Sequence, residues 1–249
     1  MPRGGYFGRV KSTEISGRVQ RALIFLNGKM LSVEELGNLN LKVYQDDKLY
    51  RFTSDAILLS RFATVKKGDN VADFCAGSGI VGFNLYGLNP EIKNLTFFEM
   101  QKPLFDLSVK SIALNGLENK FFAENCRVQD IDKKYNGVFS LVVCNPPYAE
   151  VGKGFKDENE HIAACRTEIN LTLSELVLSA ARVLKFGGRF TIVHRADRLA
   201  DIIAEMKNKN IEPKKLQFVS GKNKPPYLVL IEGVKGGKSG LKVLRPIEN

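Results

Sequence analysis

Between residues 70 and 231 short apolar runs alternate with segments of helical apolar spacing, and this alternation constrains the fold more than any other feature. Val71-Ala72-Asp73-Phe74 reads as a strand that runs into glycines, and residues 80–88 read as a helix stopped by Asn89-Pro90. Leu95-Thr96-Phe97-Phe98 reads as a second strand. In 104–114, Leu104, Leu107, Val109 and Ile112 fall at helical spacing before Asn115-Gly116. Residues 121–126 predict a third strand. Residues 138–144 predict a fourth, apolar almost throughout, as a strand covered on both faces must be. A helix over 171–184 closes at Phe186-Gly187-Gly188, followed by a strand at 189–194, a helix at 199–206 and strands at 216–219 and 227–231. This order implies an α/β fold with a doubly wound, largely parallel sheet, its ligand at the carboxyl ends of the strands. Residues 1–45 give no clear assignment: apolar runs at 19–25 and 39–44 are surrounded by turn residues. With Met30-Leu31-Ser32 as an alternative start, the expected organisation is a basic extension over 1–30 and a single domain over 31–249.

Charge narrows the partners. The net charge is +10, but it is unevenly placed. Residues 1–30 hold six Lys/Arg and one acid, residues 205–249 hold ten and four, and the stretch between them is close to neutral. Two basic ends on a neutral middle favour a polyanion such as nucleic acid. No apolar stretch is long enough to cross a membrane as a helix. The N-terminal residues lack the apolar core of a secretory signal. Cys75, Cys126, Cys144 and Cys165 form no Cys-x-x-Cys pair, and His161 and His194 are the only histidines, so no zinc site is expected. This cysteine usage fits a reducing, cytoplasmic setting. With no apolar stripe left unassigned, a monomer is expected.

Three features carry chemistry. Asp73-Phe74-Cys75-Ala76-Gly77-Ser78-Gly79 joins a strand to a helix, and Gly77 and Gly79 let backbone approach a ligand. It lacks both the dinucleotide glycine pattern and the P-loop lysine. Glu99 ends the second strand, where an acid can take both hydroxyls of a ribose. Together these favour a nucleoside ligand without a pyrophosphate. The third feature is Asn145-Pro146-Pro147-Tyr148, directly after the fourth strand.

At this tetrad the sequence resembles the class I S-adenosylmethionine-dependent methyltransferases, and among them those that methylate amide-like exocyclic nitrogens. The resemblance implies a Rossmann-like, seven-stranded sheet with mostly parallel strands. Further segments carry a more specific likeness over residues 36–241. These are Arg51-Phe52-Thr53-Ser54-Asp55-Ala56-Ile57-Leu58-Leu59, Arg166-Thr167-Glu168, residues 183–190, and Val193-His194-Arg195-Ala196-Asp197-Arg198-Leu199. Together they are similar to the bacterial tRNA(Val) adenine-37 N6-methyltransferases. That family implies methylation of adenosine 37 with S-adenosylmethionine as donor, S-adenosylhomocysteine as product and no metal. It places Asp73, Cys75, Ala76, Gly77 and Gly79 along the donor, Glu99 on the donor ribose, and Asn145, Pro146, Pro147 and Tyr148 around the target amine. Related enzymes often carry an acid after the third strand, near the donor adenine. Asp130 is the candidate here, although a different register puts Arg127 there.

Other segments carry less. Gly233-Val234-Lys235-Gly236-Gly237-Lys238-Ser239 is one residue short of a phosphate-binding loop and has no helical pattern after it, so it reads as a basic tail. His194 reads as a structural histidine, with RNA contact as its alternative. Residues 149–160 read as a polar loop near the target pocket, in which Lys153 and Lys156 could meet phosphates. Cys75 and Cys144 read as small packing residues. Rival functions are a protein glutamine methyltransferase, a DNA or ribosomal RNA adenine methyltransferase, and a non-catalytic RNA-binding protein of the same fold. The first usually carries a helical N-terminal domain, for which residues 1–50 are too short and irregular. An intact tetrad with Glu99 argues against the last.

Overall fold

The computed structural model describes residues 21–26, 29–36, 40–46, 49, 54–147 and 171–249. An antiparallel meander comes first: β1 (Arg21–Leu26), β2 (Lys29–Leu36) and β3 (Leu41–Gln45) pair in that order. The boundary expected between residues 30 and 31 therefore falls within β2. Helix α1 (Ser54–Phe62) leads into the main sheet, which follows as β4 (Asn70–Phe74), α2 (Ile80–Leu88), β5 (Asn94–Phe98), α3 (Lys102–Leu114), β6 (Phe121–Glu124) and β7 (Phe139–Cys144). After residue 170 come α4 (Leu173–Val183), β8 (Leu184–Arg195), α5 (Leu199–Asn208), β9 (Ile211–Ser220) and β10 (Pro226–Lys235), with short β11 (Lys242–Val243) and β12 (Ile247–Glu248).

Seven long strands lie side by side as β6-β5-β4-β7-β8-β10-β9, and β11 and β12 both add parallel to β9. β6, β5, β4, β7 and β8 are mutually parallel, while β10 runs antiparallel to both neighbours. This is the doubly wound α/β sheet read from the sequence. The chain leaves β4 toward one edge and returns to β7 on the other side of it. A crevice therefore opens at the carboxyl ends of β4 and β7.

Local chemistry sets the element ends. Every residue of β7 is buried, because apolar layers cover both faces of the sheet. One layer packs α1, α2 and the meander residues Leu36, Leu41 and Val43 on the sheet. The other packs α4 and α5 with Phe74, Phe98 and Phe139. Thr172 and Glu175 form a reciprocal capping box at the start of α4. The meander is tied to α3 by Asn115, which accepts from Lys42 N–H at 2.9 Å and donates to Lys42 carbonyl at 2.7 Å.

The glycines expected to close α4 lie inside a strand instead. β8 begins at Leu184 directly after Val183, and pairing with β7 skips from Leu184 to Arg189. Gly187, at φ 75°, sits in the bulged stretch. The glycine-rich segment at 233–239 begins inside β10, and no helix follows it.

Candidate active site

The site forms where two loops emerge from neighbouring parallel strands. Phe74 at the end of β4 pairs with Cys144 at the end of β7, so the glycine loop and the Asn145-Pro146-Pro147 segment leave the sheet side by side. They wall a cleft, open to solvent, to which α1, α3 and the segment after β6 also contribute. Cys75, Ala76, Gly77, Glu99, Asn145, Pro146 and Pro147 all line it.

The glycine loop is held by its own backbone and by Glu99. Ala76 N–H donates to Phe98 carbonyl at 3.2 Å and Gly79 N–H to Ala76 carbonyl at 2.8 Å. Gly77 has φ 58°, and a Cβ there would meet nothing within 4 Å. Its glycine serves the left-handed backbone and leaves room beside it. Glu99 Oε2 accepts from Gly77 N–H at 2.8 Å and Oε1 from Gln101 N–H at 2.8 Å. Asn125 Nδ2 in turn donates to Glu99 carbonyl at 2.8 Å. Burial raises the Glu99 carboxyl above its ordinary value, while the N–H bonds from Gln101, Gly77 and Met100 pull it back. A carboxylate has about four acceptor positions; with three taken by these N–H groups, about one remains for a hydroxyl group.

A nucleoside fits this arrangement. A fixed carboxylate and glycine backbone line the cleft, and Phe98, Leu104 and Val128 offer apolar surface to a base. Val128 and Gln129 stand where the acid near the donor adenine was expected. Asp130 itself is exposed on a 3₁₀ turn and pairs with Arg127 Nε at 3.4 Å. The turn aims residues 128 and 129 inward, so the register after β6 brings neither Asp130 nor Arg127 to the wall.

Two further predicted residues lie beneath the cleft rather than on it. Asp73 is fully buried, and its Oδ2 accepts from Gly82 N–H at 2.9 Å, anchoring the first turn of α2. Its Oδ1 has no partner, and burial pushes the carboxyl up to about 8, with the charge of Glu99 adding to the shift and the Gly82 bond opposing it. Gly79 caps α2 with φ 93°, and a Cβ there would press on Phe83 and Phe97, so its glycine serves core packing. Both support the loop from below.

Cys144 is buried and hydrogen-bonded with Cys75, and burial together with that thiol raises it well above the usual range, which makes it a packing group at neutral pH. His194 is buried at the end of β8, where Nδ1 accepts from Arg195 N–H at 2.9 Å. Tyr148, residues 149–160 with Lys153 and Lys156, and Arg166-Thr167-Glu168 lie outside the described residues. Among the described residues no cluster of His, Cys, Asp and Glu could hold a metal, and no helix is long and apolar enough to cross a membrane. Sequence reasoning did not place Ala56, Gln101 or Leu104 at the cleft. None of the three carried a signal in the sequence.

Residues 43–212 match the model of the methyltransferase small domain. A tRNA1(Val) (adenine(37)-N6)-methyltransferase from a Flavobacteriaceae bacterium is 28% identical over 200 residues, covering 73% of this chain and 82% of its own. A ribosomal RNA small subunit methyltransferase C from Enterobacter is also 28% identical, over 72% of this chain, but the match spans only 47% of that protein. Among solved structures, a predicted O-methyltransferase from Agrobacterium tumefaciens superposes with TM-score 0.61 at 17% identity, covering 78% of this chain and 86% of that one. A geranyl diphosphate methyltransferase in complex with S-adenosylmethionine does so at 0.52 and 13% identity, over 73% and 84%. With the family model covering well over half of its length, the chain belongs to the methyltransferase small domain family and is an S-adenosylmethionine-dependent methyltransferase.

Proposed function

We propose that the protein methylates the exocyclic N6 of an adenosine in RNA, adenosine 37 of tRNA, with S-adenosylmethionine bound against Glu99 and the glycine loop. The carrying observation is that Asn145 and Pro146 line the same cleft as Gly77 and Glu99. A donor nucleoside and a target amine would thus meet across one wall. S-adenosylmethionine supplies an electrophilic methyl group on a cationic sulfonium.

The protein's task is alignment. The amine lone pair is delocalised into the purine ring. Accepting both amine N–H bonds, at the Asn145 side-chain oxygen and the Pro146 carbonyl, turns the lone pair out of conjugation toward the methyl group. Pro147 has no N–H to compete for those acceptors. The amine proton is shed only after the N–C bond forms, so no general base is required beforehand. In this reading Tyr148 stacks on the extruded base.

The adenine-37 activity of several relatives, at 22–28% identity, and the basic net charge support tRNA as substrate. The ribosomal RNA enzymes at similar identity support a second reading, in which the adenine of tRNA is replaced by a ribosomal RNA nucleotide. The test is single-turnover transfer of labelled methyl to tRNA, ribosomal RNA, DNA and protein, followed by nucleoside mass spectrometry. N6-methyladenosine in tRNA is expected. In the same assay Asn145→Ala should lower turnover about a hundredfold, the loss of one transition-state acceptor, and leave donor affinity intact. Full activity of that variant would remove Asn145 from the chemistry.

A further inference from the structure

We infer that RNA flanking the target lies along the carboxyl edge of the sheet, across the β9–β10 turn, and not on the lysine–glycine stretch 235–240. This rests on the RNA reading above. β9 and β8 are both antiparallel to β10, so β9 ends at Ser220 on the same edge as β4 and β7. The turn that follows is tight, with Lys224 N–H donating to Gly221 carbonyl at 3.0 Å and Asn223 at φ 55°. It presents Lys222 and Lys224, both exposed, and no acid occurs between residues 217 and 231. Neither lysine forms an ion pair among the described residues.

Many other cations are engaged. Arg195 pairs with Asp197, Arg198 with Asp201, Lys207 with Glu212 and Lys215 with Glu232. The Lys214 amine is bonded to Lys238 carbonyl and the Lys235 amine to Leu184 carbonyl. Lys235 also pairs with Ile211, the first residue of β9. The 235–240 stretch therefore lies at the opposite end of the sheet from the cleft.

The turn connects to the cleft through a ridge. Tyr227, which follows the turn, is 45% exposed. Asn249 Nδ2 donates to Tyr227 Oη at 2.9 Å and reaches Ser54 Oγ at 3.4 Å. Ser54 opens α1, whose Ala56 lines the cleft. Two unpaired ammonium groups beside an exposed aromatic ring match the needs of an unpaired nucleotide stretch: phosphates to neutralise and a base face to stack. A closed duplex offers the phosphates without the base face.

The test uses the full chain and an RNA stem-loop carrying an unpaired adenosine, with the closed duplex of the same stem for comparison. Lys222→Glu/Lys224→Glu should weaken stem-loop binding at least tenfold and lower the salt slope by about 1–2. Tyr227→Ala should weaken it about tenfold while Tyr227→Phe keeps it, and the wild type should prefer the stem-loop. Lys185→Glu/Lys238→Glu, the same charge change at the far edge, should change affinity less than threefold. S-adenosylhomocysteine affinity, measured on each variant, should stay at the wild-type value and so report an intact fold. Unchanged binding in the Lys222/Lys224 variant, or equal loss in the far-edge variant, overturns the path. If the wild type still methylates RNA, the proposed activity survives that result. A wild type that neither binds nor methylates RNA removes both.

Discussion

Glu99 concentrates the chemistry of the donor site in one side chain. Its carboxylate holds the glycine loop through Gly77 N–H and the start of α3 through Gln101 N–H, and the residue lines the cleft. Glu99→Ala removes a charged acceptor pair and unties Gly77 at once. S-adenosylhomocysteine affinity should fall about 10- to 100-fold, by about 1.5–3 kcal/mol for hydrogen bonds to a charged group. The raised carboxyl gives this binding a pH signature. Hydroxyls need the ionised acceptor, so affinity should decline as pH falls through the raised value, at a higher pH than for an ordinary glutamate. Titration calorimetry between pH 5 and 8 reads both effects, and a flat profile with wild-type affinity in the alanine variant would exclude the ribose role. Glu99, Gly77 and the Asn145-Pro146 pair were legible because each meets a demand that few residue types satisfy. Asp130 was not, because which of residues 128–130 points inward depends on how a 3₁₀ turn packs.

At the scale of elements, α2 shows how tightly the site is supported. Eight of its nine residues are buried, so its start reads from glycine and its end from Asn89-Pro90 rather than from any polar face. Gly82 is fixed by packing: a Cβ would stand 2.5 Å from a Phe97 ring carbon and 2.9 Å from a Leu95 methyl. Phe97 packs against Phe83 and Phe121, with ring centroids 5.3 and 5.7 Å away, and has little room to give. Alanine would gain about 1 kcal/mol in helix propensity. Overpacking costs about 1–3 kcal/mol, so the clash outweighs the gain. Gly82→Ala should lose about 1 kcal/mol in urea denaturation; a stabilised variant would mean that the aromatic cluster yields. Strands β4, β5 and β7 were readable because parallel strands buried on both faces are apolar runs. The meander was not: β3 sets exposed Lys42 among buried Leu41, Val43 and Gln45, and it is tied to α3 through Asn115. Asn27-Gly28, between β1 and β2 in sequence, is the hairpin signal that could have revealed it.

At the scale of the whole molecule, charge and architecture part company at the C-terminus. A run rich in lysine and glycine looks in sequence like a solvated basic arm, yet it leads into two short strands paired with β9. Leu244 N–H donates to Leu216 carbonyl at 2.8 Å and Asn249 N–H to Ser220 carbonyl at 2.9 Å. Leu244 and Ile247 pack on the same core layer as α1 and α2. The segment was illegible because two-residue strands carry no periodicity. Their place is set by β9, which lies at the edge of the long-strand sheet and would otherwise present a row of unpaired backbone groups. Removing residues 241–249 therefore does more than delete Lys242 and Arg245. Two partly buried aliphatic side chains contribute about 1–2 kcal/mol each on burial, so the truncated chain should lose about 2–4 kcal/mol. It should also aggregate through the bared β9 edge. Because Asn249 reaches Ser54 at the start of α1, S-adenosylhomocysteine affinity should weaken along with RNA affinity. Thermal unfolding and light scattering of the truncated chain, beside titrations of both ligands, provide the check. A truncation that keeps full stability and donor affinity while losing only RNA binding would restore the picture of a dedicated basic arm.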